Sequence, residues 1–596
     1  MKDEMMERLK RFRHSGSVKK MKRALPLNKE LRQRLIRIER KLDEVGPDAE
    51  TRHRLPNRIE EADVIRLVKY DKNTKKNADM ALQDKIVPFP NFDPVDFSAG
   101  YDWQVDRTAK YGDSYQLYIQ ALRIVSALLL EYEKSKEIAY LKKARTLIES
   151  WMDFNDTKPE NRMIWYDHPA ANRAQNIIHF LFLAQDKFSL DLPRYHNVLV
   201  EHAEFMSDAS EYRPNNHGLM MDRALMIIGR ILGREDLFNI GYYRAIDTFW
   251  FSFSAKAVHL ENSPEYHNMV RNMYLAMEEY LNGQDKSFGS TLVSYLEEAQ
   301  DYLDILARPD RRLPAIGDSG NSVGTQNKKY MNFTDYESGM TILQYKEPRP
   351  LYLSFIAGFS TNTHKHRDDL SITLQYDMED ILVDPGKFNY SRNPIRSYMQ
   401  SPQAHSTIFL EKEKYNKSHD NRFTRLVETT QFFKNESYVL VRGENRAFKT
   451  STLERIVVML KDHPIVLLLD KAYSDEIAYQ NFNLDQKVRV EAQDAAGATV
   501  TLPSGRKVNF RQMKRTEGSV EVRPSLKRPV SSVNTIGFGK AAETQQLRFK
   551  NTAAGLDEFT FETIISMDEQ VSIEDYEWEG PLLRMRINGE TISIIV

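Results

Sequence analysis

The chain has 596 residues, 41% of them apolar and 11% aromatic. This is a globular composition on a chain too long for one hydrophobic core, so two or three domains are expected. Lys and Arg number 84 against 85 Asp and Glu, a net charge of -1, and there is no cysteine. Those counts exclude a whole-molecule field that would steer the chain to nucleic acid, and they exclude disulfides, thiol nucleophiles and Cys-ligated zinc.

Residues 2–41 carry 15 Lys/Arg and 5 Asp/Glu, which reads as a solvated basic helical arm within an N-terminal extension, 1–70. No apolar h-region follows it, so a cytoplasmic protein is expected, with export open if the native N-terminus differs. No apolar run reaches the ~18 residues needed to span a membrane. From about 113 to 307, within a helical domain bounded at 71–334, the chain reads as successive amphipathic helices. The first runs from Tyr115 to Val125, and others follow at 135–152, 172–187, 193–207, 218–233, 235–253, 266–281 and 289–306. Short connections between many such helices predict a ring or bundle. From 335 to 596 the pattern turns to short strands: Met340–Tyr345, Leu351–Ile356, Ser371–Tyr376, Tyr438–Val441, Leu453–Leu460, Pro464–Asp470 and Thr591–Val596. The fold class is therefore α+β and multidomain, a helical half joined to an antiparallel β-sandwich.

Candidate chemistry concentrates just inside the β half. His364-Lys365-His366-Arg367-Asp368 is followed by Val383-Asp384-Pro385-Gly386 and by Ala404-His405-Ser406-Thr407. Placed on an extended strand, the two imidazoles project to one side. With residues from neighbouring strands, His366, Asp384 and His405 make an N/N/O set suited to Zn²⁺ or another divalent metal, and His364 stays free for proton chemistry. The plainer reading is a row of polar side chains on a sheet face. The helical half offers Arg213-Pro214-Asn215-Asn216-His217-Gly218 and Ser263-Pro264-Glu265-Tyr266-His267, each at a helix start. Asn216 and Ser263 are good N-caps and Pro264 suits the first helical position, so capping competes with function for both. Trp165 offers a sugar-stacking ring and Arg173 an anion-binding fork, against the alternative of an ordinary interhelix contact.

In this order, Asn-Asn-His-Gly, Ser-Pro-Glu-Tyr-His, Gly317-Asp318, His-x-His-x-Asp-x-Leu-Ser, Val-Asp-Pro-Gly and His-Ser-Thr resemble the heparinase II/III-like polysaccharide lyases, whose relatives include heparan sulfate, chondroitin and alginate lyases. The resemblance runs from about residue 110 to at least 410. It implies an incomplete (α/α) toroid followed by the sandwich, with a cleft between them, and β-elimination of an acidic polysaccharide containing uronic acid. Within it, Asn216 matches the amide that neutralises the uronate carboxylate. His217 matches an assisting histidine or base, Tyr266 the general acid, and His364 the inner-cleft histidine. Tyr390 matches a second tyrosine, with Tyr398 competing for that place. His366, Asp384 and His405 match a structural metal triad. Lys365 and Arg367 stand where the family often has Gly or Ala. With Lys387, Arg392 and Arg396 they predict a basic, substrate-binding surround that would suit a sulfated polymer. Two other classes compete: a glycoside hydrolase using two of Asp167, Asp318 and Glu265, and a non-catalytic polysaccharide-binding or assembly protein.

Overall fold

The computed structural model describes residues 55–56, 58–90, 92–322, 324–358, 360–415, 426–553, 558–568 and 571–596. The basic stretch 2–41 lies outside the described residues. The chain divides into two compact units. The first holds the described residues up to Ser252 together with Met273–Val293, and the second holds Phe253–Asn272 and Ser294–Val596.

The first unit is helical. Short helices Thr74–Leu82 and Ser114–Gln120 precede α1 (Arg123–Ser135), α2 (Ile138–Asp156), α3 (Asp167–Ala184), α4 (Leu192–Ser207), α5 (Asn216–Leu232) and α6 (Glu235–Ser252). The chain continues through α7 (Pro264–Asn282) and α8 (Ser290–Leu306). The helix expected from Tyr115 to Val125 is instead broken at Ala121–Leu122, where Leu122 takes a left-handed φ of 51°. Partners from α3 satisfy the carbonyls freed by this break. Arg173 Nη1 donates to Gln120 O at 2.7 Å, and Asn176 Nδ2 donates to Ala121 O and Leu122 O at 3.3 and 3.1 Å. A tertiary contact thus overrides a local helical period.

The second unit is antiparallel β-structure. Five strands lie in sequence order: β1 (Phe333–Asp335), β2 (Met340–Tyr345), β3 (Leu351–Ile356), β4 (Ser371–Tyr376) and β5 (Glu379–Leu382). An eight-stranded sheet has Phe561–Ser566, Ile465–Tyr473, Thr452–Leu460 and Tyr438–Asn445 at its centre. Alternate residues of its strands face two cores. Val441, Val457 and Leu468 pack with Leu353 and Leu374 of the five-stranded sheet, forming a sandwich. Leu440, Val458 and Leu467 pack against Leu583, Met585 and Ile594 of the C-terminal three-stranded sheet. Burial on both faces explains why Val466-Leu467-Leu468-Leu469 is apolar without alternation. Among the described residues, no helix is long and apolar enough to cross a membrane.

Candidate active site

In the second unit, one short segment and one loop bring the proposed proton-transfer groups together. Ser263 Oγ caps α7, accepting from Tyr266 N at 3.3 Å, with Pro264 as the first helical residue. Asn262 Nδ2 donates to Thr361 O and Thr363 O at 2.9 and 3.0 Å, tying this segment to the loop that carries His364. Gly317 closes the same junction. Its φ is +59°, and a Cβ there would lie 2.6 Å from Asn262 O and 2.7 Å from His364 O, so only glycine fits.

The Tyr266 ring stacks on His364 with centroids 3.5 Å apart and 17° between planes. Its hydroxyl shares a 2.5 Å hydrogen bond with the Tyr390 hydroxyl. Cations surround the two phenols. Lys387 Nζ lies 5.7 and 5.9 Å from the Tyr266 and Tyr390 rings, and the Arg396 guanidinium sits 5.0 Å from the Tyr390 ring. Desolvation of the Tyr390 hydroxyl, then the neighbouring Tyr266 and Asp318, push the Tyr390 phenol well above its ordinary value. Tyr390 therefore keeps its proton.

His364 has a φ of 58°, a conformation that costs of order 1–3 kcal/mol in a non-glycine residue and tends to persist at functional sites. Its Nδ1 is 3.3 Å from Asp318 Oδ2, and its Nε2 is 3.6 Å from Glu261 Oε2. Asp318 also meets His366 Nε2 and Arg396 Nη2, each at 3.3 Å. Burial acts to raise the Asp318 carboxyl, but hydrogen bonds from His364 and His366 and the Arg396 charge outweigh it and hold the group well below the usual carboxylate range. The sequence placed His364 and His366 on a strand. They lie in the loop before β4, and it is Asp318, not a strand pleat, that aims both rings.

His366, Asp384 and His405 are buried, with ligand atoms all within 4.8 Å of one another. Asp384 follows β5 and His405 follows the turn Pro402–Ala404. His405 Nδ1 is 3.1 Å from Asp384 Oδ2, while Asp384 Oδ1 accepts from Gly386 N at 3.0 Å. Arg455 of the large sheet pins the peptide beside His405. Its Nη1 donates to Ser406 O and Leu370 O, each at 2.8 Å, while Asp470 receives its other edge. His366 Nδ1 and His405 Nε2 are buried with no hydrogen-bond partner among the described residues. Two orphaned imidazole nitrogens beside a carboxylate fit a borderline divalent cation.

The first unit carries Asn216 and His217 at the start of α5. The N-cap is Asn215, not Asn216: its side chain accepts from His217 N and Gly218 N at 3.0 Å. Asn216 is therefore relieved of capping, and its buried carboxamide is engaged by none of the described residues. His217 Nδ1 is 2.9 Å from Asp167 Oδ1, a contact that orients the ring.

Other expected residues take different places. Arg173 is fully buried, donating to His202 Nε2 at 2.8 Å, Gln120 O at 2.7 Å and Ile164 O at 2.8 Å, with Trp151 under its plane at 3.9 Å. All its edges are occupied inside the bundle, so it is a structural linchpin and not an anion-binding fork. Trp165 is half-buried against His202 and Phe205. Lys365 points inward, 2.5 Å from Asp368 and 2.7 Å from Asp369, so it adds nothing to a basic surround. Arg367 is half-buried and lines a separate small pocket with Phe409, Tyr415 and Phe448. Tyr398 hydrogen-bonds Gln403 O, Ser532 N and Gln546 Nε2, which leaves Tyr390 as the tyrosine that meets Tyr266. The carboxylates available to a hydrolase are each committed: Asp167 to His217, Asp318 to two histidines and Arg396, and Glu265 to Lys387 at 2.6 Å and Gly320 N at 2.6 Å. Sequence reasoning gave none of these acids an orienting role, and Gly317-Asp318 was the one available signal.

The Heparinase II/III N-terminus model matches residues 10–345, and the Heparinase II/III-like, C-terminal model matches residues 336–562. No curated protein sequence matches the chain. Among solved structures, a heparinase III shares the fold with a TM-score of 0.73 at 16% identity, covering 89% of this chain and 93% of its own. A mutant of heparan sulfate lyase HepC from Pedobacter heparinus has a TM-score of 0.65 at 15% identity, covering 99% of this chain and 96% of its own. A heparinase III with methylated lysines gives 0.66 at 12% identity, with 90% and 92% covered. With a family model spanning more than half its length, this chain belongs to the heparinase II/III family of polysaccharide lyases.

Proposed function

We propose that the chain cleaves an acidic, uronate-containing polysaccharide of the glycosaminoglycan class by β-elimination. A base removes the C5 proton, the C4–O bond breaks as the C4=C5 double bond forms, and an acid returns a proton to the departing oxygen. The geometry that supports this reading most is the Tyr266 phenol, stacked on His364 and hydrogen-bonded to Tyr390 beside Lys387 and Arg396.

In this reading Tyr266 donates the proton to the departing oxygen. Tyr390 and the nearby cations stabilise the phenolate left behind. His364, oriented by Asp318, moves the second proton. In the first unit, the uncommitted amide of Asn216 and the Asp167-backed His217 are the groups we assign to carboxylate neutralisation and to base duty for one C5 epimer. A divalent metal, zinc by donor type, would be held by His366, Asp384 and His405 and would supply fixed positive charge that braces the loop carrying His364.

The test is a panel of heparan sulfate, heparin, chondroitin sulfate, hyaluronan and alginate, read by the near-ultraviolet absorbance of the unsaturated product. Tyr266→Phe should lower kcat by roughly 10²–10⁴-fold, the range typical of a lost general acid, with an unchanged melting temperature. Near-normal turnover by that variant, or chain shortening without the chromophore, would show the assignment to be wrong.

A further inference from the structure

Arg223 in the first unit carries positive charge that no described acid answers with an ion pair. Arg223, on α5, is 6% exposed. Its Nε is buried without a hydrogen-bond partner among the described residues, and Nη2 reaches only the neutral Asn172 Oδ1 at 3.5 Å. The acid adjacent to it in sequence, Asp222, is unavailable. That carboxylate takes Arg244 Nε at 2.8 Å and the Tyr212 hydroxyl at 2.7 Å. Burial alone pushes Arg223 down to about 10.

Related groups lie nearby. His168 is one helical turn before Asn172 on α3, and its Nδ1 is also buried and unpartnered among the described residues. The Tyr118 ring stands edge-on to His168 at 5.5 Å, and the Arg123 guanidinium lies 5.7 Å from that same Tyr118 ring. Neither Arg123 nor Arg223 forms an ion pair with a described residue. Asn216, with its unengaged amide, precedes Arg223 by two turns on the same face of α5.

A buried guanidinium without a counter-ion is costly unless something else supplies the negative charge. We propose that Arg223, with Asn172 and His168 beside it, forms an oxyanion-binding site that takes a sulfate ester or carboxylate of an acidic saccharide. The site deepens the lyase reading by naming where in the first unit an anionic substituent binds, yet it can be tested without turnover.

The experiment is a calorimetric titration of the full chain with inorganic sulfate, with acetate in a parallel arm and chloride holding ionic strength constant. Wild-type protein should bind sulfate or acetate, and the arm that binds tells which oxyanion is preferred. Arg223→Met should weaken that binding by roughly tenfold or more, the scale of one or two hydrogen bonds to a charged group. It should not lower the melting temperature in chloride, because an apolar side chain replaces an unpaired charge. Arg223→Lys, which keeps the charge and loses the fork, should fall between them and serves if the Met variant fails to fold. Failure of the wild type to bind either anion, or equal binding by wild type and the Arg223 variants, would overturn the site. A Tyr266→Phe protein that is inactive yet still binds sulfate separates this outcome from that of the lyase reading.

Discussion

His267 makes a direct test of how the Tyr266 segment is held. Its ring is buried, accepting from His259 N at 3.0 Å through Nδ1 and donating to Ala299 O at 2.9 Å through Nε2. Both nitrogens are occupied by one donor and one acceptor, so the neutral tautomer fits and the cation does not. Burial pushes the group from 6.5 down to about 4. A base whose folded value is depressed contributes stability above its unfolded value, and that contribution is lost as pH falls from 6.5 towards 4. At ~1.36 kcal/mol per pH unit the full loss is about 3 kcal/mol, of which roughly 2.5 kcal/mol is gone by pH 4.5. His267→Gln keeps an acceptor and a donor but cannot titrate. It should cost about 1 kcal/mol at pH 8, the scale of one imperfect hydrogen bond, and become the more stable protein below about pH 6, where the wild type has lost that same ~1 kcal/mol. Urea unfolding of both proteins at pH 4.5, 6 and 8 cancels every titration they share. A stability difference constant across the three pH values would refute the claim that the ring is held neutral.

Three further outcomes follow from other contacts. Gly317→Ala should destabilise the fold by at least ~1–3 kcal/mol, because φ +59° and Cβ contacts of 2.6 and 2.7 Å to two backbone oxygens leave no room, and activity should fall with it since His364 O is one of those atoms; a melting curve equal to the wild type's would contradict this. Arg173→Leu should cost about 3–5 kcal/mol by leaving Gln120 O, Ile164 O and His202 without their donor, and substrate KM measured on whatever folds should be unchanged, which an anion-binding role would not allow. If a metal sits on His366, Asp384 and His405, elemental analysis should find about one equivalent, chelation should lower the melting temperature, and His405→Ala should remove both the metal and the sensitivity to chelator.

Much of the fold was legible because local patterns and tertiary demands agree. Strands β2, β3 and β4 fall on the residues that their alternation and apolar runs indicate, and α4 to α8 fall close to the predicted windows. The break at Ala121–Leu122 was not legible, because the donors that permit it, Arg173 and Asn176, come from another helix about fifty residues away. The same reason explains Asn215. Either asparagine of the pair is a competent cap by composition, and only the backbone of the following turn decides which one serves. The histidines and tyrosines of the site could be named in advance, since they stand in short runs. Their partners could not. Asp318 is 46 residues from His364 and signalled only by the Gly317-Asp318 pair, and Asp167 is 50 from His217 with nothing in its immediate neighbourhood to separate it from a surface acid.

Those partners bear on the chemistry. Asp167 is matched to His217, Asp318 to His364 and His366, Asp384 to His405, and Glu265 to Lys387. Each acid orients a base or a cation. Hydrolysis of a glycoside requires one carboxyl raised enough to donate a proton and a second left free to act on water or sugar. Asp318 is held in the opposite direction, well below the usual carboxylate range. The groups left with a proton to give or take are phenols and imidazoles, placed among Lys387 and Arg396. That distribution suits a reaction whose hard step is drawing a proton from carbon next to a carboxylate: positive charge stabilises the enolate-like state, and a weakly acidic phenol matches a departing alkoxide far better than a depressed carboxyl would.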